Sequence, residues 1–236
     1  MIRKASQKII VCGQFIEKYT YEKPFFWGFQ NKTQNSRSPA TSLERTDFSI
    51  IRARETLYRI IQSNIDDKQS YKNLFVTLTF KKNIVNIKEA NYEFKKFIQR
   101  FSYYTNTKYK YITVIEFQKR GAVHFHTLFF NVPYIKDLHL KIAKIWGNGM
   151  TEIKPIYNIR NISAYVSKYI RKGFFDKRLS RNKAYFCSRN CVYPQEWRNK
   201  ETIDNILSQN ILRKSVSSYP SSKYGTITKT LYKLTK

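Results

Sequence analysis

The sequence predicts an α+β fold, a central antiparallel sheet with helices packed on it, and three observations carry that prediction. Apolar residues recur at helical spacing in some stretches, while β-branched and aromatic runs of strand length fill others. Two of the strand runs are joined by Gln118-Lys119-Arg120-Gly121, a natural hairpin turn. No internal repeat or long low-complexity run interrupts the pattern.

Taken in order, residues 8–21 read as a short strand, and the Asn-, Ser- and Lys-rich stretch from Gln30 to Pro39 reads as a loop. Thr41-Ser42-Leu43-Glu44 has capping-box spacing, with a start nearer Asp47 as the alternative. Ile50, Ala53, Leu57, Ile60, Ile61 and Ile65 then keep one helical face, so a long amphipathic helix is expected to end near Asn64. Leu74 to Phe80 is a strand with Phe75, Thr77 and Thr79 on one side and Leu74, Val76, Leu78 and Phe80 on the other. A helix from about Ile87 to Tyr103 follows, its Phe94, Phe97, Ile98 and Phe101 spaced i, i+3, i+4, i+7. Tyr111–Phe117 and Val123–Asn131 form the hairpin. A helix from about Ile135 to Trp146 is closed by Gly147 and Gly149. A short strand near Glu152–Tyr157 and a helix from about Ile162 to Arg171 complete the core. Residues 215–230 hold eight Ser or Thr, which predicts a mobile C-terminal end. The expected organisation is an N-terminal strand, loop and helix over 1–70, a core over 71–195, and a basic extension over 196–236.

The 236 residues carry 44 Lys and Arg against 16 Asp and Glu, a formal charge of +28. So lopsided a balance argues against a metabolic enzyme with a neutral surface and against an acidic interaction protein. With 42% hydrophobic and 16% aromatic residues there is ample material for a core, so disorder throughout is excluded. No apolar run approaches the length of a bilayer span, and Met1-Ile2-Arg3-Lys4 leads into polar residues, so neither membrane span nor signal peptide is expected. Three cysteines, Cys12, Cys187 and Cys191, suit a reducing cytosol. Cys187-x-x-x-Cys191 lacks the second ligand pair a zinc site needs. The default partner of such a chain is a nucleic acid.

Three features carry chemistry. His124 and His126 are spaced i, i+2 on a strand, so both imidazoles point to one face. They read either as ligands of a divalent metal or as two satisfied strand histidines. Glu116 lies across the hairpin from His124 and, by its even offset, on the same face. A carboxylate with two imidazoles leaves open coordination positions, as a catalytic metal requires. The alternative is a glutamate paired with Lys119 or Arg120. In Tyr165-Val166-Ser167-Lys168-Tyr169, helical spacing brings both phenols and the ammonium to one side. Alone, that pattern equally describes tyrosines packed on the sheet. His139, on its amphipathic helix, reads as a surface residue.

Together and in this order, Phe75-Val76-Thr77-Leu78-Thr79-Phe80, Glu116 with His124-Phe125-His126, and Tyr165-x-x-Lys168-Tyr169 resemble the three motifs of the HUH endonuclease superfamily. Within it the chain is similar to the rolling-circle replication initiators (Rep proteins) of phages and plasmids, including the filamentous-phage gene II type. The resemblance runs from about Leu74 to Lys172 and weakly through Tyr185-Phe186-Cys187-Ser188-Arg189. Phe125 departs from the usual aliphatic residue between the histidines. The resemblance implies a ferredoxin/RRM-like split fold and site-specific nicking of one DNA strand at an origin. It also implies Tyr165 as the nucleophile, Lys168 beside it, and Tyr169 as a possible second nucleophile. Glu116, His124 and His126 would hold Mg²⁺ or Mn²⁺. Arg120, Arg171, Lys172, Lys177, Arg178, Arg181 and Lys183 are the expected contacts to DNA phosphates, and Phe174, Phe175, Tyr103, Tyr104 and Tyr109 the candidates for stacking on unpaired bases. The implied partners are single-stranded or supercoiled origin DNA, and a separate helicase and polymerase in the cytoplasm of a bacterial host. Two other readings stand beside this one: a non-catalytic basic nucleic-acid-binding module, and a transposase or relaxase of the same superfamily.

Overall fold

A computed structural model describes residues 3–28, 47–65, 72–156, 176–179 and 185–235. They fall into two compact units, one spanning 42–191 and one combining 1–41 with 192–236.

In the first unit α1 (Asp47–Asn64), β3 (Lys72–Thr79), α2 (Ile87–Thr105), β4 (Lys110–Phe117), β5 (Val123–Val132), α3 (Leu138–Trp146), β6 (Thr151–Ile156) and β7 (Tyr185–Cys187) follow one another. The strands form a wholly antiparallel sheet in the order β6-β3-β5-β4-β7. The strand expected from Leu74 and the second strand of the expected hairpin, β3 and β5, therefore pair at its centre. One face of the sheet is apolar because alternate residues of each strand are. Phe94 of α2 packs against Phe125 at 4.8 Å between ring centroids, Phe101 against Phe129 at 5.7 Å, and Phe97 against Trp146 of α3 at 5.7 Å. Leu57, Ile60 and Ile61 of α1 belong to the same buried cluster.

Local signals fix the element ends. Asn86 caps α2 by accepting from the backbone N–H groups of Lys88 and Glu89, and Asn106 closes it in the left-handed conformation at φ 49°. The turn between β4 and β5 needs Gly121, whose φ is +93°. α3 begins at Leu138 rather than Ile135, because Asp137 takes φ 55° and starts the helix three residues later. After α3 the backbone lies directly on the end of β3. Thr79 N–H donates to Met150 O and Lys81 N–H to Asn148 O, and the Trp146 indole donates to Thr79 O at 2.8 Å. A Cβ on Gly149 would run into Thr79 O and come within 2.7 Å of Lys81 N, so only glycine admits this approach. The expected helix from Ile162 to Arg171 lies outside the described residues.

The second unit is a five-stranded antiparallel sheet, ordered β8-β1-β2-β10-β9. Its strands are β1 (Arg3–Cys12), β2 (Phe15–Trp27), β8 (Gln195–Trp197), β9 (Ile211–Ser221) and β10 (Gly225–Leu234), with α4 over Lys200–Leu207. The single strand expected over 8–21 is a hairpin, turned at Gly13 with φ 59°. The stretch expected as a mobile extension is also a hairpin, and β10 pairs with β2. The reason is legible afterwards: Thr226, Thr228 and Thr230 alternate with Ile227 and Leu231, and threonine favours strands as strongly as it marks loops. The two chain ends share one sheet, so the compact units replace the three consecutive stretches expected from sequence. Ile203 of α4 is buried against Ile9 and Ile16. No helix among the described residues is long and apolar enough to cross a membrane.

Candidate active site

The face of the first sheet opposite α2 carries the charged groups. Register places Glu116 of β4 directly across from His124 of β5, and Thr79 and Thr77 of β3 across from His124 and His126. The expected convergence of Glu116, His124 and His126 on one face is therefore what the strand register produces. The two imidazole centroids lie 4.4 Å apart, and the Phe75 ring stacks on His126 at 5.6 Å.

His126 is 4% exposed and held at both nitrogens. Its Nε2 lies 2.8 Å from Glu116 Oε2 and its Nδ1 lies 3.2 Å from Thr77 Oγ1. A carboxylate only accepts, so Nε2 carries the proton and donates to Glu116; the neutral ring then accepts the Thr77 hydroxyl at Nδ1. His124 differs. Its Nε2 is buried with no hydrogen-bond partner among the described residues. Burial, reinforced by neighbouring His126, pushes its pKa down to about 4, against the opposing pull of Glu116 and Glu152. The ring is thus neutral at physiological pH and presents a lone pair.

Among the described residues no three His, Cys, Asp or Glu side chains stand in an arrangement that holds a metal as placed. The donor set nevertheless suits one. A proton between Glu116 and His126 occupies the place where a cation would bridge them, and the unpartnered Nε2 of His124 supplies a third donor. Glu152 of β6 lies across β3 from Thr77 on the same face and is 2.7 Å from Lys154. Neither Thr77 nor Glu152 was assigned a role from sequence. The faces of β3 could have given Thr77, but the register of the edge strand that carries Glu152 is not readable from the residues.

The other expected site residues separate. Tyr165, Lys168, Tyr169, Arg171, Lys172, Arg181, Lys183 and the Lys177 side chain lie outside what is described, as do Phe174 and Phe175. Arg120 is exposed and donates to the backbone carbonyls of Phe80 and Lys81, latching the β4–β5 turn to the end of β3. The Arg178 guanidinium sits 4.0 Å over the Phe117 ring and pairs with Asp176 at 2.6 Å. Tyr103 and Tyr104 are exposed, Tyr109 is buried against Phe101 at 4.6 Å, and His139 is exposed. Cys187 and Cys191 are free thiols.

Neither a curated protein nor a solved structure matches the chain. Residues 73–174, which include β3 through β6 and hence the whole imidazole face, match the family model of the replication-associated proteins of the ORF2 and gene II protein type; over that stretch the chain is a Rep-like replication protein of the phage and plasmid type.

Proposed function

We propose that the protein initiates rolling-circle replication as a metal-dependent, site-specific nickase and strand transferase. The observation that carries this reading is Glu116, His124 and His126 on one face of the central strands, inside the segment shared with replication-associated proteins. In the proposed reaction the Tyr165 phenol loses its proton and its oxygen attacks the scissile phosphorus. The bond from phosphorus to the 3′ oxygen breaks, leaving a free 3′-OH for a polymerase and a 5′-phosphotyrosyl ester on the protein. That ester conserves the energy of the diester, so the reverse transfer rejoins ends without ATP. Lys168 steadies the phenolate, whose ordinary pKa near 10 makes an unaided phenol a weak nucleophile. Mg²⁺ or Mn²⁺ held by Glu116, His124 and His126 would polarise the phosphate oxygens and neutralise the charge developing on them. Thr77 orients His126, and Tyr169 is proposed for the second transfer.

No Gly-x-x-x-x-Gly-Lys-Ser/Thr occurs among the seven glycines of this chain, so strand separation and synthesis fall to a separate host helicase and polymerase, in the cytoplasm. A non-catalytic binding module would explain the charge but not a buried carboxylate–imidazole pair beside an unpartnered imidazole. The test is incubation with Mn²⁺ and a supercoiled plasmid carrying the DNA that flanks the gene. Nicked circles with protein attached to the 5′ end are expected from the wild type, and none from Tyr165→Phe or His126→Ala. Nicking by Tyr165→Phe at the wild-type rate would overturn the nucleophile; a His126→Ala protein that nicks normally would overturn the metal ligand.

A further inference from the structure

We infer that the sheet built from the two chain ends is a second binding surface, one that takes single-stranded DNA by stacking an unpaired base beside a cation. In its described residues Lys and Arg outnumber Asp and Glu by twelve to five. At the open end of the β1–β2 ladder two consecutive cross-strand pairs each join a cation to an aromatic ring, Arg3 with Trp27 and Lys4 with Phe26. Alternation puts these pairs on opposite faces.

Phe26 is 58% exposed, an unusual position for a large apolar ring, and Lys4 beside it is exposed as well. On the other face the Trp27 ring lies between two guanidinium groups, Arg3 at 5.2 Å and Arg198 at 5.5 Å. Its indole N–H is buried and meets no acceptor among the described residues. A phosphate oxygen is the acceptor that two adjacent guanidinium groups would bring there. Lys23 and Lys223 extend the charge along the β10 side, where Lys223 lies 5.2 Å from the Tyr224 ring. The nearby acids are already engaged: Glu22 accepts from the Thr226 N–H, and Glu196 pairs with Lys8 and Arg198.

An exposed ring flanked by cations fits a strand with open base faces, since every base offers a π-face and every nucleotide a phosphate. A duplex keeps its base faces stacked on each other and would leave Phe26 unused. The surface lies outside the segment shared with replication-associated proteins, so it adds a grip on the displaced strand to the proposed nicking reaction. Only the identity of the partner rests on that reading.

The experiment measures binding of the full chain to a fluorescent thymidine oligonucleotide, to a duplex of equal length and to a uridine oligonucleotide. EDTA is present and Tyr165→Phe is the background, so no nicking enters. Phe26→Ala with Lys4→Ala is expected to weaken thymidine-strand binding about tenfold or more, as for loss of one stacked base. The logarithmic salt slope should fall by about 0.7 for the lost phosphate contact. Duplex binding should be nearly unchanged. Unaltered affinity at an unaltered melting temperature overturns the proposal, as does equal loss on strand and duplex, which would mean charge without stacking. A larger loss on the uridine strand overturns it in favour of RNA. Should the double variant fold poorly, Lys4→Glu alone at an exposed position must still weaken strand binding about fivefold, or the surface is wrong. A wild type that never nicks DNA, but whose Phe26 variant loses strand binding, fails the catalytic reading and leaves this one standing.

Discussion

Thr77 Oγ1 stands 3.2 Å from His126 Nδ1 while Glu116 Oε2 stands 2.8 Å from Nε2 of the same ring, so the imidazole is gripped from both sides. Cation binding at Nε2 requires that nitrogen to give up its proton, and the ring proton then belongs on Nδ1. A hydroxyl can accept as readily as donate, so Thr77 serves both states. Thr77→Val is expected to lower Mn²⁺ affinity about 10- to 100-fold, the usual cost of losing such an outer partner. Thr77→Ser restores it. Calorimetric titration of Mn²⁺ into the three proteins reads this directly, and equal affinities would show that Thr77 only fills space.

His124 makes the stability of the metal-free protein depend on pH. Its folded pKa of about 4 lies below the ordinary 6.5. The folded state therefore refuses a proton that the unfolded chain accepts. The contribution is fully present above pH 6.5 and is lost as pH falls from there toward 4. A gap of that size corresponds to about 3 kcal/mol at most. Urea unfolding in EDTA at pH 7.5, 5.5 and 4.5 should show wild type losing stability relative to His124→Gln across that window. Parallel curves would mean that His124 is protonated as easily folded as unfolded.

The strand face was legible in the sequence because it depends on two short-range rules, alternation along a strand and the offset across a tight hairpin. His124-x-His126 and Glu116 need nothing else, and the register pairs Glu116 with His124 as those rules require. The aromatic spacing of α2 was legible for the same reason. What could not be read depends on long-range pairing. Glu152 reaches the face only because β6 docks on β3, and β10 joins β2 across some 200 residues of sequence. The Ser- and Thr-rich composition of 215–230 fits a loop and a solvent-facing strand equally, and only the partner strand decides. Arg120 looked like a phosphate contact because its charge is visible and the carbonyls of Phe80 and Lys81 that it binds are not.

Phe94 joins α2 to three strands of the first sheet, touching Tyr111 of β4 at 5.8 Å, Phe125 of β5 at 4.8 Å and Phe186 of β7 at 5.3 Å. It is 2% exposed. Phe94→Ala should cost about 3–5 kcal/mol, since the rigid rings around it close poorly over the gap. Phe94→Leu should cost less than half of that. Chemical denaturation of both variants provides the measurement, and a loss under about 1 kcal/mol for the alanine variant would mean the cluster is loosely packed.

Gly149 is the residue that lets the segment after α3 lie on the end of β3, where Thr79 faces His124 across the ladder. An added methyl group meets backbone atoms of Thr79, Phe80 and Lys81, which cannot rotate away as a side chain would. The segment must therefore withdraw. That breaks the bonds from Thr79 N–H to Met150 O and from the Trp146 indole to Thr79 O. Gly149→Ala is expected to lower stability by about 2–4 kcal/mol through overpacking and two lost hydrogen bonds. It also frees the end of β3, so Mn²⁺ affinity should fall in the same variant even at temperatures where it stays folded. Gly121→Ala, which also introduces strain but whose added methyl meets only a Val85 side-chain carbon at 3.5 Å, should lower stability without that second effect. Identical metal affinities in the two variants would show that the Gly149 contact supports the fold alone and has no hold on the imidazole face.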